Sequence, residues 1–215
     1  MVRFRLRGEK VQLLEFEFPE GVVEPSCLEG LPIPEVDSAK PLVLSGRGPQ
    51  WFYQYLVHQF HFVRILATFE PRIGKGIVVE APSYEDIGKS LDVETGEIGE
   101  EKIGAKGKIE MRLLKLGGFQ LLDASVKGDR FVEPSEMREI EWHSLQDLID
   151  PSKPLLLHIF APIWLGARIA AEFCNSVPWY AVYDPRIEGG VVIASHASNA
   201  PAAGKIVRAR LIGEL

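Results

Sequence analysis

Three sets of residues in this chain have types and spacings that could do chemistry. Ser45-Gly46-Arg47-Gly48 follows a short apolar run and precedes Pro49 and a helical pattern. A glycine-rich turn between strand and helix is where α/β proteins bind anions: the backbone can approach closely, helix N–H groups point outward, and an arginine adds a bidentate phosphate contact. Such a turn can also be only a turn. His58 and His61 stand three apart on the predicted helix and so share one face. Two imidazoles so placed can bind a metal or divide acid and base roles, or simply face solvent at a helix end. Asp184-Pro185-Arg186 ends one predicted strand, and Ser195-His196 ends the next. An Asp, an Arg and a His meeting from neighbouring strand ends read as a metal-assisted or acid–base site.

The elements that must position these groups occur twice. Lys40-Pro41-Leu42-Val43-Leu44 recurs as Lys153-Pro154-Leu155-Leu156-Leu157, and the same offset carries Pro49 onto Pro162 and Trp51 onto Trp164. One inserted residue later, Glu70-Pro71-Arg72-Ile73 recurs as Asp184-Pro185-Arg186-Ile187. Upstream, Val23-Glu24-Pro25-Ser26 recurs as Val132-Glu133-Pro134-Ser135. Four blocks in one order mean duplication. Each copy predicts the same elements: a strand at 42–44, an amphipathic helix from Pro49 to about Phe60, and strands at 63–69 and 77–79 joined by a turn at Gly74 and Gly76. The second copy repeats them at 155–158, from Pro162, at 179–183 and at 191–195. Further strands are expected at the N-terminus and over 11–18. The fold class is therefore α/β, with modules at 1–97 and 109–215 joined by a polar, glycine-punctuated linker at 98–108.

The two copies differ in a complementary way. Ser45 to Gly48 aligns with His158-Ile159-Phe160-Ala161, His58 with Ala171, and His61 with Cys174. Conversely, Ser195-His196 aligns with Ala81-Pro82. One copy keeps the Gly-Arg loop and the helix histidines; the other keeps the strand-end Asp and His. A single site that draws once on each copy explains this pattern. Trp51 and Trp164, present in both, read as core anchors.

Composition sets the outer bounds. The chain has 215 residues, 46% of them hydrophobic and 25% charged, enough for two modules of ordinary globular type. The net charge of -6 argues against binding long nucleic acid, though not against a small anion in a basic pocket. No run is apolar enough for a membrane span. Two cysteines, Cys27 and Cys174, and an N-terminus without the apolar core of a signal peptide predict a cytoplasmic protein.

At these residues the sequence resembles the CRISPR-associated ring nucleases of the third class. Ser45 to Pro49 with Trp51, His58, His61 and Glu70-Pro71-Arg72 match the family signature, as does Tyr183-Asp184-Pro185-Arg186 with Val191 to His196. Members of the family are usually single modules, so a tandem form departs from the pattern. The resemblance implies ferredoxin-like α+β modules forming a pseudo-dimer, and a homodimer of fused chains that sandwiches cyclic tetra-adenylate, the messenger of type III CRISPR defence. It implies linearisation of that ring, stimulated by manganese, with catalytic groups from both faces of the sandwich. Carried onto this chain, the catalytic residues are His61, Asp184 and His196. Substrate is held by Ser45, Gly46, Arg47, Gly48, Arg72 and Arg186, and metal by Asp184, His196 and His58. The competing expectations are a sensor or sponge that binds the ring without cutting it, a manganese-dependent RNA 3′ exonuclease, and a structural subunit with no ligand.

Overall fold

The computed structural model describes residues 2–99, 108–116, 118–127 and 132–208. The first half builds a seven-stranded sheet from β1 (Arg3–Arg7), β2 (Gln12–Glu17), β3 (Leu42–Gly46), β4 (Leu66–Glu70), β5 (Lys75–Glu80), β6 (Ser90–Leu91) and β7 (Ile98–Gly99). The second half builds a six-stranded sheet from β8 (Lys108–Leu116), β9 (Phe119–Lys127), β10 (Leu155–Phe160), β11 (Trp179–Asp184), β12 (Gly189–Ser195) and β13 (Ile206–Val207). In both sheets the strands lie in sequence order. Two central pairings are parallel, β2–β3–β4 and β9–β10–β11, and the rest are antiparallel. The tandem α/β modules are thus as expected, but a ferredoxin-like module would need two crossover helices per sheet. Here one helix, α1 (Gln50–Phe60) or α3 (Ile163–Phe173), makes the β3–β4 or β10–β11 crossover. A short extra helix, α2 (Trp142–Leu148), belongs to the second half alone.

The duplication is visible in local detail. The register shifts between Leu66 and Ala67 in β4 and between Tyr180 and Ala181 in β11, at equivalent positions. A Cβ on Gly76 would lie 3.1 Å from Val43 and 3.2 Å from Ala67; on Gly190 it would lie 2.6 Å from Leu156 and 3.3 Å from Ala181. Both glycines exist because a neighbouring strand's side chains fill that space. Gly74, with φ of 68°, makes the β4–β5 turn, and its counterpart Glu188 is held at φ of 48°.

The helices are not amphipathic in the expected sense. α1 buries Trp51, Phe52, Tyr53, Gln54, Tyr55, Leu56, Val57 and Phe60; α3 buries even Arg168 and Glu172. The two helices pack on each other between the two sheets, α1 reaching β11 and β12, and α3 reaching β4 and β5. A helix enclosed on several sides needs apolar residues around most of its circumference. One hydrophobic cluster therefore runs through both modules. Full burial of a large side chain contributes roughly 1.5–3 kcal/mol, so Trp51, Phe52, Trp164 and Phe173, all at 2% exposure or less, anchor this shared core. Tyr180 of the second module donates to Gln54 Oε1 of the first at 2.5 Å. Of the expected linker, Ile98 and Gly99 belong to β7, and 100–107 lie outside the described residues.

Candidate functional site

Helices α1 and α3 both start beside the carboxyl ends of the parallel strands, where Gln50 Nε2 of α1 donates to the Ala161 carbonyl just before α3 at 2.8 Å. Around these starts lies a cleft of about 1570 Å³, which takes in Arg3, Arg5, Ser45, Arg47, Arg72 and Trp164. A second depression of about 480 Å³ takes in Arg47, Trp51, Asp184 and Arg186. Arg47 and Gly48 stand between them and line both. All six expected substrate residues thus gather on one face.

On that face each module presents an acid–arginine pair at a strand end. Arg72 Nε and Nη2 donate to the two Glu70 oxygens at 2.8 and 2.9 Å. Arg186 Nε donates to Asp184 Oδ1 at 2.9 Å, and Nη2 to Oδ2. Each pair is met by the tryptophan of the other module. Trp51 Nε1 donates to Asp184 Oδ2 at 3.2 Å, while Trp164 Nε1 faces Glu70 without closing to a hydrogen bond. Burial pushes the Glu70 carboxyl up, but hydrogen bonds and charge from Arg72 leave it below its ordinary value. Asp184 is lowered chiefly by its hydrogen bond from Arg186. Both acids stay ionised and hold their arginines in place. Arg47 is exposed and has no carboxylate partner among the described residues.

The glycines of the loop serve packing. A Cβ on Gly46 would sit 2.5 Å from the Phe16 carbonyl oxygen, and one on Gly48 would sit 2.8 Å from the Phe16 ring and 3.1 Å from the Phe18 ring. Tyr53 Oη donates to the Gly46 carbonyl at 2.6 Å and pins the loop. At the start of α1, Pro49 offers no side-chain cap, so the first helical N–H groups keep their polarity toward the cleft.

The histidines form a second cluster elsewhere. The His58 and His61 rings stack with centroids 6.0 Å apart, and the His196 ring meets His58 edge-on at 5.4 Å. Residues from both modules do come together here, as the complementary loss predicts. His196 Nε2 lies 2.8 Å from the Cys174 carbonyl, which can only accept, so Nε2 carries the proton and Nδ1 is left to interact. His58 Nδ1 is buried without a partner. Burial, then the neighbouring His196 and His61, push the His58 pKa down to about 4, so it is neutral at physiological pH. His61 is exposed at the end of the helix.

One expectation fails in one chain. Asp184 and His196 do not converge: β11 and β12 are antiparallel, with Trp179 opposite Ser195 and Asp184 opposite Gly189. The two residues are therefore separated by most of a strand, roughly 17 Å at 3.3 Å per residue. The loop 45–48 and the histidines likewise sit at opposite ends of α1, about 12–16 Å apart at 1.5 Å per residue. Asp184, His196 and His58 consequently make no ligand set, and among the described residues no three His, Cys, Asp or Glu side chains converge as metal ligands. What the residue types could not supply was strand direction. The Trp51–Asp184 bond also escaped the sequence, since Trp51 reads as an ordinary core residue and is indeed buried.

No helix among the described residues is long and apolar enough to cross a membrane. A family model described as CRISPR-associated protein (Cas_csx3) matches residues 17–92 and, a second time, residues 125–208. A protein of Aquifex aeolicus (strain VF5), described as uncharacterized, is 37% identical over 80 residues, which are 35% of this chain and 71% of that protein. The relative is thus about the size of one module.

Proposed function

The chain belongs to the CRISPR-associated Cas_csx3 family, matched once by each of its modules, and from that premise we propose that it is a ring nuclease that linearises cyclic tetra-adenylate and so switches off type III CRISPR signalling. The observation that carries this reading is the division of the chemistry between two faces. Phosphate-binding groups surround the start of α1, and three imidazoles surround its end. Stacking two chains with the histidine end of one against the cleft of the next rebuilds a complete site between them.

In that arrangement Arg47 and the free N–H groups at the start of α1 bind phosphates of the ring, and Arg72 and Arg186, oriented by Glu70 and Asp184, flank it. The nucleophile comes with the substrate. A ribose 2′-oxygen attacks the adjacent phosphorus, the P–O5′ bond breaks, and the ends left are a 2′,3′-cyclic phosphate and a 5′-hydroxyl. One proton leaves the 2′-oxygen and one arrives at the 5′-oxygen. His61, exposed and free to approach, makes one of these transfers. His58, held neutral, and His196, with Nδ1 available, stand behind it. Among the described residues of one chain no three potential ligands converge, and no step here runs through a metal.

The test uses two inactive variants. Arg47→Ala lacks the cleft cation and His61→Ala lacks the proton-transfer group. With labelled cyclic tetra-adenylate, in manganese or in EDTA, each alone yields little linear product. Mixed in equal amounts they regain about a quarter of the wild-type rate, because about that share of stacked pairs has both an intact cleft and an intact histidine. Silence of the mixture sinks the stacked site. Binding-only function is favoured by the lack of any histidine at the cleft in one chain; a wild-type protein that shifts the ring on a native gel but never cuts it establishes that reading.

A further inference from the structure

The chain has five histidines, and three of them, His58, His61 and His196, stand together at the end of α1. The equivalent corner, at the end of α3, carries Ala171, Cys174 and Pro82 at those three places. Ala171 and Pro82 have no titratable group. Cys174 is fully buried, and burial pushes its thiol up to about 12, beyond use in a proton transfer at neutral pH. The polar groups of this corner are turned on one another: Arg168 pairs with Glu172, and Tyr84 Oη donates to Glu172 Oε1 at 3.1 Å. Glu80 stands beside that pair with its Oε2 buried. Of the other two histidines, His143 belongs to α2 and packs its ring 5.3 Å from that of Tyr84, and His158 is held by Asp123 at 2.9 Å.

The cleft face is not lopsided in this way. Both acid–arginine pairs remain there, with Arg72 Nε 2.8 Å from Glu70 and Arg186 Nε 2.9 Å from Asp184. A ring of four like nucleotides presents its phosphates in twofold-related pairs. Between two stacked chains, one phosphate of a pair lies at the histidine corner while its mate lies at the end of α3. We propose that the fused chain cuts each ring once, at the histidine corner, and releases a linear tetranucleotide rather than two dinucleotides. One P–O5′ bond breaks and one P–O2′ bond forms. The 2′-oxygen loses a proton and the 5′-oxygen gains one, so product and ring have the same composition. The mate bond, without a proton-transfer group, breaks roughly 10²–10⁴ times more slowly. The proposal rests on the ring-nuclease reading above and adds the identity of its product.

The test is a single-turnover reaction. Protein in excess is mixed with labelled cyclic tetra-adenylate, unlabelled ring is added as a chase once the label is bound, and products are resolved on a denaturing gel. The label is expected to pass into linear tetranucleotide, with under about a tenth in dinucleotide after ten half-times of ring opening. His143→Ala and Glu80→Gln, both beside the end of α3, are expected to keep the product and hold the rate within twofold. Dinucleotide as the main product despite the chase overturns the single cut and leaves the ring-nuclease reading standing. A tenfold loss of rate in folded His143→Ala or Glu80→Gln also overturns it, since the end of α3 then takes part in cleavage. A ring left uncut by the wild type overturns both.

Discussion

The end of α1 and the end of α3 are equivalent places in the two modules, and they have become opposites. At the end of α1, His58 and His61 meet His196 of the other module. The matching positions at the end of α3 are Ala171, Cys174 and Pro82, and the space is closed. Arg168 pairs with Glu172, with side chains 5% and 3% exposed. The Arg168 guanidinium lies 4.7 Å from the centre of the Trp142 ring and 5.3 Å from that of Tyr84. Tyr84 Oη reaches Glu172 Oε1 at 3.1 Å, and Gln146 completes the Glu172 shell. Trp142 and Gln146 come from α2, the helix without a counterpart in the first module. Duplication gave two equivalent corners: one holds three imidazoles, and the other is a polar plug whose charges are paired because burial demands it.

The largest effect expected from this contrast is on rate. His61→Ala lowers turnover of cyclic tetra-adenylate by roughly 10²–10⁴ if His61 moves a proton, whereas Cys174→Ala, at the equivalent position, leaves the rate within twofold, since the Cys174 group that holds His196 is its backbone carbonyl. Single-turnover cleavage measures both, and equal losses erase the distinction between the corners. The next effect is on stability. Arg168→Met strands Glu172 in the interior and costs about 3–5 kcal/mol in urea unfolding; Arg168→Met with Glu172→Leu recovers most of it. A cost under 1 kcal/mol for the single variant shows that the plug is not a tight ion pair.

A subtler contrast lies at the other face. Trp51→Phe removes a hydrogen bond to an ionised Asp184, whereas Trp164→Phe removes only a longer, weaker approach to Glu70. The first should destabilise by about 1–2 kcal/mol more than the second, and equal costs show that the two acid–arginine corners are held alike.

The smallest effect is a pair of opposed pH slopes. His58 is lowered from 6.5 to about 4, so its burial favours the fold above pH 6.5, and that contribution drains as pH falls toward 4. Glu80, beside Arg168 and Glu172, is raised from 4.5 to about 7 by burial, so its contribution is complete below pH 4.5 and drains as pH rises through 7. His58→Gln therefore removes a loss of stability that runs from pH 6.5 down to 4, and Glu80→Gln removes an opposite loss that runs from pH 4.5 up to 7, each on the order of 1 kcal/mol after solvent screening. Swapped signs break the assignment.

Much of the molecule was legible in its residues. The repeat, both crossover helices and the central strands follow from apolar blocks bounded by Pro and Gly, because strand and helix periods are local properties of a chain. So was the grouping of Ser45, Arg47 and Arg72, since ends of parallel strands lie at one edge of a sheet; that Arg186 of the other sheet joins them was decided by the packing of the two modules. The Arg168–Glu172 pair was not among the sequence expectations, although the two stand four apart in an otherwise apolar helix, and nothing in the spacing names Trp142 and Tyr84 as its walls.

The sequence by itself determined that two copies of one module exist and that each kept what the other lost. The predicted helix already divided the loop from the histidines by its own length; only the tertiary structure decided that Asp184 and His196 stand at opposite ends of a hairpin and that His196 reaches the end of α1. The physical reason is direction: residue identity and spacing say which groups share a strand or a helix face, but the antiparallel pairing decides which end each strand residue occupies. The same packing of two helices between two sheets brought His196 to His58, and Trp51 to Asp184, across more than a hundred residues of chain.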